Sequence, residues 1–314
     1  MPDKPLALLF PGQGSQMPEM GKDLFTEIRS SRDVFEVADQ ILKFPLTEYC
    51  FKSMEEDAHA LKKLTNTAIC QPALFTHSIA ILAALDLAPD LVAGHSVGEY
   101  TALHASGALS FEDALRLVRF RGELMAMAGQ GRCAGMTAVI GLSGDIVDSV
   151  CRQMTTPQST VVCANFNTPT QTVISGDAAA LRATEALLTE MGARKLIPLP
   201  VSGAFHSPLV STAREALAQK LSEVTIKPPV CPIYLNVTAQ PALDPEHIRA
   251  RMLEQLTSPV RWVQSLQNMP ESIKFIEVGS GRVLSGLARQ TLGRSTDVIS
   301  ISSASDVRDF LADK

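Results

Sequence analysis

A chain of 314 residues that is 46% hydrophobic and 19% charged can bury one large core, or a core and a smaller domain beside it. Its 28 Lys and Arg against 33 Asp and Glu leave a net charge of −5, with no run of five or more like charges, which argues against a general nucleic-acid binder. The apolar run 6–10 is too short for the core of a signal peptide, and no stretch approaches the roughly 18–20 apolar residues of a membrane span, so the expectation is a cytoplasmic protein without a membrane partner.

The predicted elements alternate strand with helix, the pattern of an α/β fold. LALLF at 6–10 is the first strand and ends in PGQG, and a long, mainly helical stretch then runs to about residue 88. The strand DLVAG, 90–94, feeds straight into GHSVGEY, 94–100, and a helix carrying Tyr100, Leu103 and His104. The next helix opens at SFED, where Ser110 and Asp113 form a capping-box pattern, and reaches about Ala128. The glycine-rich GQGRCAG, 129–135, marks a boundary. Beyond it come strand 136–142, helix 145–154, strands 161–166 and 171–176, helix 178–191 and strand 195–201. That is the β-α-β-β-α-β order of ferredoxin-like units, and we expect 131–199 to be a small domain inserted into a larger one made of 1–130 and 200–314. The chain returns through VSGAFHSP to a helix near 208–222, strand 231–237 and helices near 244–256 and 260–269. Strand 274–279, a helix near 282–292 and strand 297–301 follow. The two outer segments are expected to complete one parallel-rich sheet.

GHSVG fits G-x-S-x-G between a strand and a helix, the setting of a nucleophile elbow. The turn is sharp enough that side chains at Gly94 and Gly98 would strike neighbouring backbone, and it would hold Ser96 at the carboxyl edge of the sheet, where helix amides can stabilise negative charge. A Gly/Ser turn that only caps a helix is the plainer reading. A serine nucleophile needs a base. His206 follows a strand and lies beyond the serine in the order of a hydrolase; His95 adjoins the serine, His104 sits on the following helix, and His59, His77 and His247 have ordinary helical surroundings. Chemistry alone does not choose among these six.

In ALRLVRFRGELMAM, Arg121 shares the apolar stripe with Leu117, Val118, Leu124 and Met125, whereas Arg116, Arg119 and Glu123 fall more to the other side. An inward cation is costly unless paired. It is either a structural ion pair or a bidentate partner for a substrate carboxylate. FPGQGSQ, 10–16, could aim the Gln13 amide at an oxyanion, or be a turn in which Ser15 caps a helix; no GK[ST] follows, so it is not a phosphate loop. The six cysteines are scattered without a CxxC pair and the histidines show no ligand spacing, so free thiols and no metal are expected.

Taken together, FPGQGSQ, QPALF (71–75), GHSVGEYTAL (94–103), Arg121-Gly122, NxN (165–167), QTVISG (171–176), GAFHSP (203–208), NVTA (236–239) and EVGSG (277–281) resemble, in order and over nearly the whole length, the malonyl-CoA:acyl carrier protein transacylases of type II fatty acid synthesis. They also resemble the acyltransferase domains of polyketide synthases. The resemblance implies a hydrolase-like α/β domain with a ferredoxin-like insertion, and ping-pong transfer of malonyl from malonyl-CoA to a carrier phosphopantetheine through an ester on Ser96. It implies His206 as base, the Gln13 and Val97 amides as oxyanion hole, and Arg121 as carboxylate clamp. A backbone carbonyl at Gln255 would orient the imidazole in place of a triad acid. His95, Asn165 and Phe205 would line the substrate pocket, Phe205 disfavouring an α-methyl branch by about 1–3 kcal/mol. No tightly bound cofactor is implied, acyl carrier protein is the partner, and a monomer suits the absence of an obvious pairing element. The same acyl-enzyme could serve a thioester hydrolase, although Arg121 argues for a dicarboxylic acyl group. A scaffold without chemistry would be expected to have lost Ser96, His206 or Arg121. A carrier from polyketide synthesis fits the same residues.

Overall fold

The structure is a computed structural model that describes residues 4–129, 131, 133–201 and 203–313. The chain begins with β1 (Leu6–Phe10), followed by α1 (Lys22–Glu27), α2 (Arg29–Leu42), α3 (Leu46–Cys50), α4 (Ala60–Thr65) and α5 (Thr67–Leu82). Then β2 (Leu91–Gly94) leads into α6 (Gly98–Ala105) and α7 (Phe111–Ala128). The middle of the chain forms β3 (Ala134–Ile140), α8 (Gly144–Met154), β4 (Val161–Thr168), β5 (Gln171–Asp177), α9 (Ala178–Glu190) and β6 (Lys195–Pro198). After a 3-10 turn at Pro208–Val210 come α10 (Thr212–Ser222), β7 (Ile233–Tyr234), β8 (Pro241–Ala242), α11 (Pro245–Gln255) and α12 (Trp262–Asn268). The chain closes with β9 (Lys274–Val278), α13 (Val283–Leu292), β10 (Val298–Ile301) and α14 (Ala304–Ala312).

These strands make two sheets. One runs β10-β9-β1-β2-β7-β8 and is parallel apart from the short β8, which pairs antiparallel with β7. The other is antiparallel, in the order β4-β5-β3-β6. The fold is thus mixed α/β with a parallel-rich sheet and a separate antiparallel sheet. β1 sits centrally, covered on both faces, and its unbroken LALLF run is what a doubly covered parallel strand requires. Leu8 and Phe10 enter one core cluster, while Ala7 and Leu9 enter another on the opposite face. Val260, between α11 and α12, attaches that segment to the edge strand β4: it accepts from the Phe166 N–H and donates to the Ala164 carbonyl, both at 2.8 Å.

The site lies at the carboxyl ends of β1 and β2, where the loops of a parallel sheet gather. Glu277, at the end of β9, is fully buried and accepts from the Leu284 and Ser285 amides at 2.8 and 2.9 Å, capping α13 from a distance. The following Ser280 hydroxyl holds the Ser15 carbonyl at 2.7 Å. EVGSG therefore braces the FPGQGSQ loop.

Several expectations need correcting. The strand expected at 231–237 is only Ile233–Tyr234, because the chain turns at Asn236 to make the β8 hairpin. The strand expected to reach 201 stops at Pro198, and β3 begins two residues earlier than expected, at Ala134. No helix starts at Ser15: α1 opens at Lys22 behind Gly21. The helix α14 was not anticipated, although Ser303 caps it through the Asp306 amide. The boundary motif GQGRCAG includes residues 130 and 132, and VSGAFHSP includes residue 202; these lie outside the described residues. Among the described residues no helix is long and apolar enough to cross a membrane, and no cluster of His, Cys, Asp and Glu could hold a metal ion.

Candidate active site

β2 ends at Gly94 and α6 begins at Gly98, so four bonds reverse the chain. A Cβ on Gly94 would lie 1.9 Å from the Gly98 carbonyl, and one on Gly98 would lie 2.1 Å from the Phe10 carbonyl oxygen. Only glycine fits at either place. Between them Ser96 takes φ of 54°, a left-handed conformation that costs a non-glycine residue about 1–3 kcal/mol. Asn236 holds that turn: its Oδ1 accepts from the Ser96 N–H at 2.8 Å and its Nδ2 donates to the Gly94 carbonyl at 2.7 Å.

The structure brings Ser96 and His206 together, with Oγ 2.8 Å from Nε2. His206 Nδ1 faces two carbonyls, Gln255 at 2.8 Å and Ser258 at 3.2 Å. Carbonyls only accept, so Nδ1 carries the proton, Nε2 is the acceptor, and the serine hydroxyl donates to it. His206 is buried and itself has φ of 53°. Burial, reinforced by the Arg121 cation, pushes its pKa down to about 3, so the imidazole is neutral and its Nε2 lone pair faces the serine hydroxyl.

Arg121 is the largest charged side chain in the core, 1% exposed. One guanidinium nitrogen donates to Gln71 Oε1 at 2.7 Å; another donates to Gln255 Oε1 at 3.0 Å and to Ser96 Oγ at 3.2 Å. Among the described residues no carboxylate lies within 4.0 Å of it, so it is not half of a structural ion pair. Neutral acceptors hold it in place, and the nearest carboxylate, Glu99, reaches it only through the Gln255 amide.

The remaining sequence-predicted residues converge as well. Gln13, His95, Val97, Asn165 and Phe205 line a cavity of about 80 Å³ with Ser96, Arg121 and His206. Gln13 and Phe205 also line a neighbouring groove of about 720 Å³. His95 Nε2 lies 2.9 Å from Asn167 Oδ1, and its ring meets the Trp262 edge at 5.4 Å. Among the described residues, neither the Gln13 nor the Val97 backbone N–H has a backbone acceptor, which leaves both able to serve a developing oxyanion.

Three contributors escaped the sequence reading. Gln71, from QPALF, shares Arg121 with Gln255. Asn236, from NVTA, fixes the elbow. Glu99 is fully buried; its Oε2 accepts the Asn236 N–H at 2.6 Å and its Oε1 accepts from Gln255 Nε2 at 3.1 Å. Burial pushes Glu99 up to about 7 against those hydrogen bonds and the Arg121 charge. All three stand inside ordered motifs; for Gln71 and Asn236 the available signal was a polar side chain between apolar neighbours, whereas Glu99, in the first turn of α6, carried none. Gln255 was expected for its carbonyl alone; its side chain proves to be a second connection.

An acyl transferase domain model matches residues 7–311 of the chain. The malonyl CoA-acyl carrier protein transacylase of Bacillus subtilis (strain 168) is 40% identical over 302 residues, covering 95% of this chain and 93% of that protein. The crystal structure of a malonyl CoA-acyl carrier protein transacylase from Clostridium perfringens superposes with a TM-score of 0.90 at 33% identity, covering 98% of this chain and 96% of that one. A chain from a complex of a type II PKS acyl-carrier protein with its malonyl-transacylase gives a TM-score of 0.91 at 31% identity, covering 99% and 100%.

Proposed function

The chain belongs to the acyl transferase domain family and is an acyltransferase, and within that family we propose that it moves malonyl from malonyl-CoA to the phosphopantetheine thiol of an acyl carrier protein through an ester on Ser96. The observation that carries this reading is Arg121: a buried cation without a carboxylate partner among the described residues, 3.2 Å from Ser96 Oγ. An acyl group with a free carboxylate supplies the direct partner that the guanidinium lacks. The names of the similar proteins point the same way.

On this reading Ser96 Oγ bonds to the thioester carbonyl carbon as its proton passes to His206 Nε2. The Gln13 and Val97 amides hold the oxyanion. The carbon–sulfur bond breaks, CoA leaves with the proton from His206, and the malonyl ester remains. The carrier thiol then gives its proton to His206 and attacks the ester, and Ser96 recovers the proton as the carbon–oxygen bond breaks. The Gln255 and Ser258 carbonyls support the imidazolium that forms twice in each cycle, the task a carboxylate performs in a triad. His95, Asn165 and Phe205 wall a pocket suited to a short, unbranched acyl group.

We also read residues 131–199 as a ferredoxin-like insertion in a hydrolase-like domain, a reading supported by the strand order β4-β5-β3-β6 and by two helices between the strands. The test of function is intact-protein mass spectrometry after brief exposure to malonyl-CoA and, separately, acetyl-CoA. We expect a malonyl adduct on Ser96 that added acyl carrier protein discharges. An adduct that only hydrolyses, at a rate indifferent to the carrier, would identify a hydrolase instead.

A further inference from the structure

We propose that Glu99 is a positioning residue that fixes the amide orientation of Gln255 and so keeps Arg121 directed at the acyl pocket; the inference rests on the reading that Arg121 receives the substrate carboxylate. The Glu99 carboxylate hydrogen-bonds neither Ser96 Oγ nor any residue lining the pocket; only its backbone N–H meets the Ser96 carbonyl, at 3.1 Å. Its influence runs through hydrogen-bond polarity.

A glutamine amide can be turned end for end with little change of shape, so its neighbours decide which end faces which way. For Gln71 the decision is local: its Nε2 meets Thr67 Oγ1 at 2.9 Å, and that hydroxyl spends its own proton on Gln13 Oε1 at 2.9 Å. For Gln255 it is made by Glu99 Oε1 at 3.1 Å and the Ser96 carbonyl at 3.0 Å. Both are acceptors, so Nε2 must face them and Oε1 must face Arg121. The other Glu99 oxygen is already committed to the Asn236 N–H, a backbone group that cannot turn away. An ionised carboxylate can accept at both places at once.

Glu99→Gln keeps size and shape but removes both the second acceptor and the negative charge that acts on Arg121; Glu99→Asp in the same cycle keeps the charge and so separates the two effects. A glutamine has one accepting oxygen, and the fixed Asn236 N–H takes it. The new NH2 then confronts Gln255 Nε2, donor against donor. Gln255 either turns, presenting its NH2 to the guanidinium, or draws away. In both cases Arg121 loses one of its two amide acceptors and its direction.

The experiment is a double-mutant cycle on the rate at which malonyl-CoA loads Ser96, followed by intact mass. The four chains are the wild type, Glu99→Gln, Arg121→Ala and the double variant. It is run at about pH 8 so that Glu99, raised to about 7, is ionised. We expect Glu99→Gln to slow malonyl loading by about 10–100-fold with Arg121 present, the range for a hydrogen bond to a charged group. With Arg121→Ala it should change the rate by less than about twofold. A residue that only braces the elbow would cost the same factor in both backgrounds. That result, or a Glu99→Gln chain loading like the wild type, overturns the proposal. Glu99→Asp enters the same cycle, charged but one methylene too short to reach both Asn236 and Gln255, with the same outcomes expected, and it carries the test alone should Glu99→Gln not fold. A Glu99→Asp chain that loads like the wild type would leave only the charge effect and overturns the proposal. A wild-type chain that forms no malonyl adduct at Ser96 overturns the functional reading instead, so the two failures are distinct.

Discussion

At the scale of single residues, the site concentrates costs that a stable core avoids. Ser96 and His206 both hold positive φ, a charge is buried at Arg121, and an imidazole at His206 is denied its proton by burial. Each is tolerated because a polar neighbour fixes it: Asn236 for the serine turn, two carbonyls for the imidazole, two amides for the guanidinium. The guanidinium is the one with no carboxylate in direct contact among the described residues, and on the proposed reading that opening selects the substrate. A neutral acyl group leaves Arg121 buried and unpaired, whereas malonyl completes it. Arg121→Ala should therefore lower kcat/KM for malonyl-CoA by about 10–100-fold or more and raise tolerance for acetyl-CoA. Steady-state rates with the two thioesters check this; equal losses for both would remove Arg121 from substrate recognition.

At the scale of elements, the placement of Arg121 depends on how closely α7 lies on α5. Pro72 stands inside α5 and has no N–H to give the Ala68 carbonyl four residues back. Arg119 of α7 donates to that carbonyl at 2.9 Å instead, while its guanidinium lies 4.6 Å from the Phe44 ring. Arg119 is therefore a partly buried contact between helices, where helical spacing had put it on the outer side. One turn along, a Cβ on Gly122 would sit 2.6 Å from the Thr67 carbonyl oxygen. Gly122→Ala should push the helices apart, cost about 1–3 kcal/mol in denaturant unfolding, and draw Arg121 away from Gln71. An unchanged midpoint would mean that the helices slide without loss. Much of this level was legible in the sequence, because periodicity marks helices such as 111–128, and an arginine on an apolar stripe stands out. The two-residue β7 was not, since CPIYLNV is apolar enough for a longer strand and only the tertiary demand on Asn236 turns the chain. Nor was Glu99: a glutamate in the first turn of a helix ordinarily serves the helix dipole in solvent, and nothing local says that the turn is buried.

At the scale of the whole molecule, the burial that prepares the site also sets how the fold responds to acid. His77 is buried and held down to about 4, and His206 to about 3; burial lowers His95 and His104 as well. In the unfolded chain each of these imidazoles binds a proton below about 6.5, while in the folded chain each resists doing so. Between those limits the unfolded state holds more protons, so stability falls as pH drops. Glu99 acts in the opposite sense: raised to about 7, it is protonated in the folded chain between that value and the ordinary carboxylate range, and acidification there favours the fold. The exposed or half-exposed carboxylates Glu56, Asp57 and Asp306 are held below their usual values, so their contribution is lost only at lower pH. Four imidazoles against one glutamate decide the sign from about pH 6.5 downward. The thermal unfolding midpoint should fall steadily as pH is lowered from about 6.5 to about 5, before the surface carboxylates titrate. A midpoint that holds level or rises across that interval would show that these imidazoles accept protons inside the folded protein, and with it that the His206 pocket is wetter than its packing implies.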